Sequence, residues 1–358
     1  MEDRSGLSAQ ISRRGFLGSA AVAGAAVLAP GLSTSAFGVT SAPKPNSTIN
    51  GVRLGINAPY SFRGENTTAE ETLQAMVQLG LSWVELRGPA IEGYAGLPEA
   101  PAAPRPARAA GGGGAGGGQG GAGGRQPATP EQAAARQAAQ KARADEIRRW
   151  RLSQSMDRFH DLRRMYEQAG VTIQLVKFPD LSASMSDDEA AYIFEVAKAL
   201  GADAITLEPP LSTTKRLGQL AAKHRVMLGY HGHDQVDEVE RFGRAGAFEQ
   251  AFFYSPFNGA NVDIGHWTAG NNTSPAWFLK EYSTRITNVH LKDRKKNHGP
   301  NVPWGQGDTP LREILLLMRD QKYEFQATIE MEHPIPAGST VMAEVAKCVQ
   351  YAKDILNS

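Results

Sequence analysis

The chain has 358 residues, 41% of them hydrophobic, with 38 Lys or Arg, 37 Asp or Glu, 38 Gly and one cysteine, Cys348. That apolar share excludes a wholly disordered chain, and a lone cysteine excludes an internal disulfide and a thiolate zinc cluster. A formal charge of +1 provides no overall footprint for nucleic acid or an anionic membrane. The length suits one large α/β domain of about 250 residues with additions, or two smaller domains.

Two segments stand apart from the fold. Ser12-Arg13-Arg14-Gly15-Phe16-Leu17 precedes an apolar, alanine-rich run over 20–29 and small residues near Gly38. This reads as a twin-arginine export signal over 1–38, since the run is shorter than the roughly 20 residues of a membrane span. Removing it takes away three basic and two acidic residues and leaves 35 of each, so the expected mature chain is neutral, periplasmic or otherwise exported, and without a membrane span. Residues 39–50, with Pro43, Pro45 and Asn46, read as a linker. The second segment, 99–130, is Pro, Ala, Arg and Gly, with eleven glycines among the fourteen residues 111–124. Nothing there is large and apolar, so it reads as a disordered low-complexity insertion.

The remainder, 51–357, alternates short apolar runs with amphipathic stretches. The first strand, 52–58, is followed by a helix over 68–79, which Thr67 or Thr68 can cap with Glu70 or Glu71 three residues on. The second, 83–87, leads through the insertion to one long helix over 131–168. The third, 171–178, precedes a helix over 187–200 capped by Ser186, and the fourth, 204–208, a helix from about 212. The fifth, 226–231, is followed by a helix over 245–253, and the sixth, 260–264, by one opened by Ser274-Pro275. The seventh, 286–291, precedes Thr309-Pro310 and a helix over 311–319; the eighth, 327–331, precedes a closing helix over 340–356. Eight strand-helix units predict a single (β/α)8 TIM barrel in the α/β class, with the insertion after strand 2. A doubly wound sheet is the alternative, but no G-x-G-x-x-G follows the first strand.

Active sites of such barrels form at the C-terminal strand ends. Here those ends carry Glu85 and Arg87, Lys177, Glu208, His231 and His233, Asp263 and His266, then His290, Lys292 and Asp293, and finally Glu330, Glu332 and His333. Alternate residues share a face, so His231 projects with His233, His290 with Lys292, and Glu330 with Glu332. Glu, Asp, His and Glu from four strands suit one divalent ion of the Mn, Co, Mg or Zn type, with positions left open for substrate oxygens.

The spacing Asp263-Ile264-Gly265-His266, His290-Leu291-Lys292-Asp293 and Thr328-Ile329-Glu330, with Ile205-Thr206-Leu207-Glu208 and the loop 303–310, resembles the xylose isomerase-like barrels, often called sugar phosphate isomerase/epimerase proteins. The resemblance implies metal ligands at Glu208, Asp263, His290 and Glu330. It also implies His266 and Lys292 beside substrate. The residues themselves put Glu330, Glu208, Lys292, His231 and His233 in catalysis, with the base open among Glu330, Glu332, His231 and His233 and with Lys292 or His266 to neutralise an oxyanion, and put His266, Arg87, Lys177, Trp304 and Glu332 beside a small carbohydrate. Strand five departs from the epimerases' glutamate with Tyr230-His231-Gly232-His233, which looks more like inosose dehydratases and keto-sugar lyases.

The expected chemistry is therefore proton transfer at the carbon alpha to a metal-bound carbonyl of a keto-sugar or related polyol, as an isomerase or epimerase. Dehydration or lyase chemistry is the alternative outcome on the same site. An endonuclease IV-like phosphodiesterase needs further histidines on strands two and three, where Glu85, Arg87 and Lys177 stand, and no nucleic-acid partner is expected. A non-catalytic sugar binder is the remaining reading. An oligomer is compatible with the sequence.

Overall fold

Strands β2 (Val52–Ala58), β3 (Trp83–Arg87), β4 (Thr172–Lys177), β5 (Ala204–Leu207), β6 (Met227–His231), β7 (Asn258–Asp263), β8 (Ile286–Leu291) and β9 (Gln326–Ile329) run parallel in chain order in the computed structural model. Pairing of Leu54, Gly55 and Ile56 with Ala327, Thr328 and Ile329 closes the cylinder. The model describes residues 44–64, 67–98, 129–178, 181–182 and 185–358. The expected export signal, the first part of the expected linker and the glycine tract lie outside the described residues. The rest of the expected linker is structured: β1 (Thr48–Ile49) pairs antiparallel with Arg53 and Val52, and Ser47 is buried against Ser82. Among the described residues no helix is long and apolar enough to cross a membrane.

Around the barrel lie α1 (Ala69–Leu79), α2 (Gly88–Tyr94), α3 (Pro130–Ser153), α4 (Asp157–Ala169), α5 (Asp187–Leu200), α6 (Thr214–His224), α7 (Ala245–Tyr254), α8 (Ile264–Asn271), α9 (Ala276–Glu281), α10 (Leu311–Asp320) and α11 (Val341–Leu356). The expected caps are present. Thr68 and Glu71 satisfy each other's backbone N–H groups as a capping box, and Ser186 accepts from Glu189 N. The expected single helix over 131–168 is two. It ends at Gln154 in extended backbone, where Ser153 Oγ and Gln154 Nε2 both donate to the Trp150 carbonyl in place of the next helical turn.

Alternation along the strands sorts the barrel into two environments. Leu54 and Ile56 of β2 and Ala327 and Ile329 of β9 are fully buried in the apolar core, whereas the residues between them turn inward. A Cβ on Gly55 would lie 2.3 Å from the Gln326 side chain, so glycine is what lets that amide fill the barrel. Polar side chains continue inside: Gln326 donates to Thr328, Asn288 to Thr328 and Glu85, and Thr206 to Glu85. Barrel interiors are usually aliphatic layers. This one is a hydrogen-bonded column beneath the strand ends.

One buried ion pair ties the helix that follows the glycine tract to the barrel. Arg151 in the last turn of α3 grips Glu92 of α2 through two bonds of 2.7 and 3.0 Å and reaches Glu189 of α5 at 3.2 Å. Both Arg151 and Glu92 are buried. Removing one partner of such a pair strands the other charge. Arg151→Met is expected to lower the unfolding free energy by about 3–5 kcal/mol, read by denaturant titration. A loss of under about 1 kcal/mol would show that the pair is spectating.

Candidate metal centre and active site

Inward positions at the strand tops bring the chemistry together. His231 ends β6, Asp263 ends β7, His290 lies one residue before the end of β8, and Glu330 one residue past β9. All four are buried, and one ligand atom from each lies within 4.8 Å of the others. The distances identify the donors. His290 Nδ1 is 3.2 Å from Glu330 Oε2 and 3.9 Å from Asp263 Oδ2, and His231 Nε2 is 4.0 Å from that same Asp263 oxygen. His290 Nδ1, Asp263 Oδ2 and Glu330 Oε2 are buried atoms that make no hydrogen bond of good geometry, the two oxygens having the Lys292 ammonium beside them as an ion pair. Buried polar atoms are seldom left so.

The donors' remaining atoms are held from behind. Glu85 Oε2 lies 2.5 Å from His290 Nε2, Asn261 Nδ2 lies 3.1 Å from the same nitrogen, and Asn57 donates to Glu330 Oε1 at 2.7 Å. Asp263 Oδ1 accepts from His266 N at 2.7 Å and so caps α8. A carboxylate behind the imidazole of a ligand histidine turns its other nitrogen to the ion.

A cation is already what the carboxylates attract. The Lys292 ammonium sits 2.6 Å from Glu330, 3.0 Å from Asp263 and 2.7 Å from Glu332. Burial opposes its charge, but the three carboxylates outweigh burial and push Lys292 well up. Likewise burial opposes ionisation of Glu330, and His290 and Lys292 nevertheless hold it well below the usual carboxylate range. His290 is pushed up to about 9, because Glu330 and Glu85 overcome its burial. His231 goes the other way, since burial and the charges of Lys177 and His290 keep it neutral. Two imidazole nitrogens and two carboxylate oxygens without a thiolate fit a zinc-like or manganese-like ion.

The structure thus unites three expected ligands with His231. Glu208 stands elsewhere, one residue past β5, with Oε1 2.7 Å from Lys177 Nζ and Oε2 3.8 Å from His233 Nε2. The ammonium of Lys177, buried on the neighbouring strand, draws the carboxylate aside. His233 is half-buried and meets the rings of His231 and His266 at 4.7 Å each. Its pKa is lowered by burial and by His266. His231, His233 and His266 also bring one nitrogen each within 4.8 Å.

Glu332 is held above the group by Tyr60 Oη at 2.5 Å, Lys292 at 2.7 Å and Asn301 Nδ2 at 3.2 Å. Arg87 stacks on the Tyr60 ring at 4.7 Å. Trp304 meets Tyr351 of α11 edge to face at 6.0 Å, and that contact does not bring it to the four donors. Asp293 organises the loop beyond β8, accepting from the backbone N–H groups of Gly305, Gly307 and Thr309. His333 bonds Glu344 at 3.1 Å, which anchors the loop into α11. Cys348 is buried on α11, its thiol pushed up to about 12 by burial and Glu344. Asn57, Tyr60, Asn261 and Asn301 were not singled out by sequence. Only the inward alternation of β2 and β7 could have marked Asn57 and Asn261.

The profile of the xylose isomerase-like TIM barrel family matches residues 145–350, and the chain belongs to that family. No curated protein matches it. Solved structures share the fold at low identity. The probable 3-DHS dehydratase AsbF of Bacillus anthracis is 12% identical, covers 86% of this chain and 99% of its own, and has a TM-score of 0.53.

 The IolI protein, solved with a bound zinc atom, is 14% identical, covers 86% of this chain and 98% of its own, and has a TM-score of 0.53. The 3-keto-D-glucoside 4-epimerase YcjR of E. coli is 9% identical, with 85% and 99% covered and a TM-score of 0.52.

Proposed function

We propose that the protein is a divalent-metal-dependent enzyme of the sugar isomerase/epimerase type, acting on a keto-sugar or related polyol. The observation that carries this is the convergence of three buried donor atoms, of Asp263, His290 and Glu330, on the neutral His231, with a cation, Lys292, already beside the two carboxylates. A divalent ion held by these four residues supplies Lewis-acid polarisation of the substrate oxygens beside the C–H bond to be broken.

The chain's own residues supply the proton chemistry. His233 is the best proton acceptor at the site, since its lowered pKa leaves the imidazole free at neutral pH. Glu208, 3.8 Å from its Nε2, stabilises the imidazolium that forms, and Lys177 keeps Glu208 ionised against its burial. Glu332, fixed by Tyr60, Lys292 and Asn301, accepts hydrogen bonds from substrate hydroxyls. Lys292 keeps its bond to Glu332 when Asp263 and Glu330 turn their oxygens to an ion. Returning the proton to the neighbouring carbon isomerises the substrate, and returning it to the opposite face epimerises it.

A second reading, dehydratase or lyase, is favoured by His231 and His233 standing where the family's epimerases carry a strand-five glutamate. There the same proton abstraction expels a β-substituent. Export through the twin-arginine pathway rests on Ser12 to Leu17 and the apolar run behind them.

Zinc- or manganese-loaded protein in deuterated solvent is expected to label keto-sugars, 3-keto-glycosides or inososes at the carbon next to the carbonyl, read by NMR. Label without loss of a substituent supports isomerisation or epimerisation, and an eliminated product supports the second reading. Loaded protein that labels and eliminates nothing across that panel would sink both.

A further inference from the structure

We propose that Arg294 is a positioning residue that makes His266 Nδ1 an acceptor and so fixes the ring proton on Nε2, making it a hydrogen-bond donor to substrate oxygen and withholding it from cations. The substrate part rests on the function proposed above; the tautomer does not.

Arg294 is buried and lies just past β8, with Nη1 2.5 Å from His266 Nδ1. A guanidinium only donates, so Nδ1 must be the acceptor and the ring proton belongs on Nε2. The arginine has little freedom to turn away. Its Nη2 donates to Asp234 at 3.1 Å, and Nε and Nη2 both donate to the Gly299 carbonyl.

A rival acceptor makes the arginine's part decisive. Asp234 Oδ1 lies 3.3 Å from the same Nδ1 and by itself would favour the proton there. With Arg294 at 2.5 Å, that arrangement would set two donors head to head, and the shorter contact prevails. His266 Nε2 has no hydrogen-bond partner among the described residues, and it is the nitrogen left to the site.

The consequence is one ion rather than two. His231, His233 and His266 have the spacing of a three-imidazole cation site, but each ligand must offer a lone pair. Nε2–H of His266 offers a proton instead, which suits a hydroxyl or carbonyl oxygen and repels a cation.

The test is a long-range 1H–15N correlation on the metal-free, 15N-labelled full chain at about pH 8, above the usual histidine range. His266→Gln assigns the signal by its loss. The Nε2–H pattern is expected, and Arg294→Met is expected to move it to Nδ1–H with Asp234 as acceptor. Asp234→Asn, which keeps the arginine, is expected to leave Nε2–H unchanged. An Nδ1–H or imidazolium pattern in the unsubstituted protein overturns the proposal, as does a second tight equivalent of zinc in its titration. The spectrum needs neither metal nor substrate, so its failure is distinct from a failure of deuterium labelling.

Discussion

Glu330→Gln is expected to weaken divalent-cation binding by at least about 100-fold, or about 2.7 kcal/mol, and to abolish solvent deuterium labelling. The substitution is close in shape, and Gln Oε1 can still accept from Asn57 as Glu330 Oε1 does at 2.7 Å. What changes is the other end of the group. An amide NH2 can take the place of Oε2, which lies 3.2 Å from His290 Nδ1 and 2.6 Å from the Lys292 ammonium. A lone pair becomes a donor, and the donor set loses one of its two carboxylates. Lys292 retains Asp263 and Glu332, so the metal-free variant should stay folded by circular dichroism. Zinc titration by calorimetry decides the matter: affinity within tenfold of the unsubstituted protein would remove Glu330 from the ligand set.

The strands were legible because barrel strands covered by helices read as apolar runs, and β2 through β9 fall within a few residues of those runs. The inward alternation also carried over, since Glu330 and Glu332 both reach Lys292 as residues two apart on one face should. The exchange of Glu208 for His231 was not legible. Both stand at strand ends, and only the position of Lys177 on the next strand shows that Glu208 already has a partner. Helices α2 and α8 are too short for a periodicity to report, and α8 begins directly at Asp263, leaving no turn signal between strand and helix. Contacts such as Tyr60 with Glu332 join residues more than 270 apart in sequence, where no local pattern exists.

Glu85, one of the polar residues at the strand ends, lies deeper in the barrel than sequence position alone shows. It lies beneath His290 in the polar column, fully buried, and not on the open rim where a strand-end glutamate would meet substrate. Glu85→Gln keeps one acceptor oxygen, for either Thr206 or the His290 N–H, puts an amide NH2 in place of the other, and removes the charge that orients the imidazole. Partners behind a metal-bound histidine are worth about 10–100-fold in affinity, and a loss of that size is expected in zinc titration. Stability should fall as well. In the metal-free protein His290 is pushed up to about 9, and losing one of its two carboxylates costs about 1.5–3 kcal/mol as a hydrogen bond to a charged group. The two effects have different remedies. Saturating zinc should restore stability to Glu85→Gln by mass action, because an ion at Nδ1 of His290 would take the place of the proton there and leave a neutral imidazole that no longer needs the lost carboxylate. In Glu330→Gln, with a ligand gone, the same zinc concentration should restore little. Equal rescue of both variants in thermal melts would show that Glu330 and Glu85 do not stand on opposite sides of the imidazole in the way their distances imply.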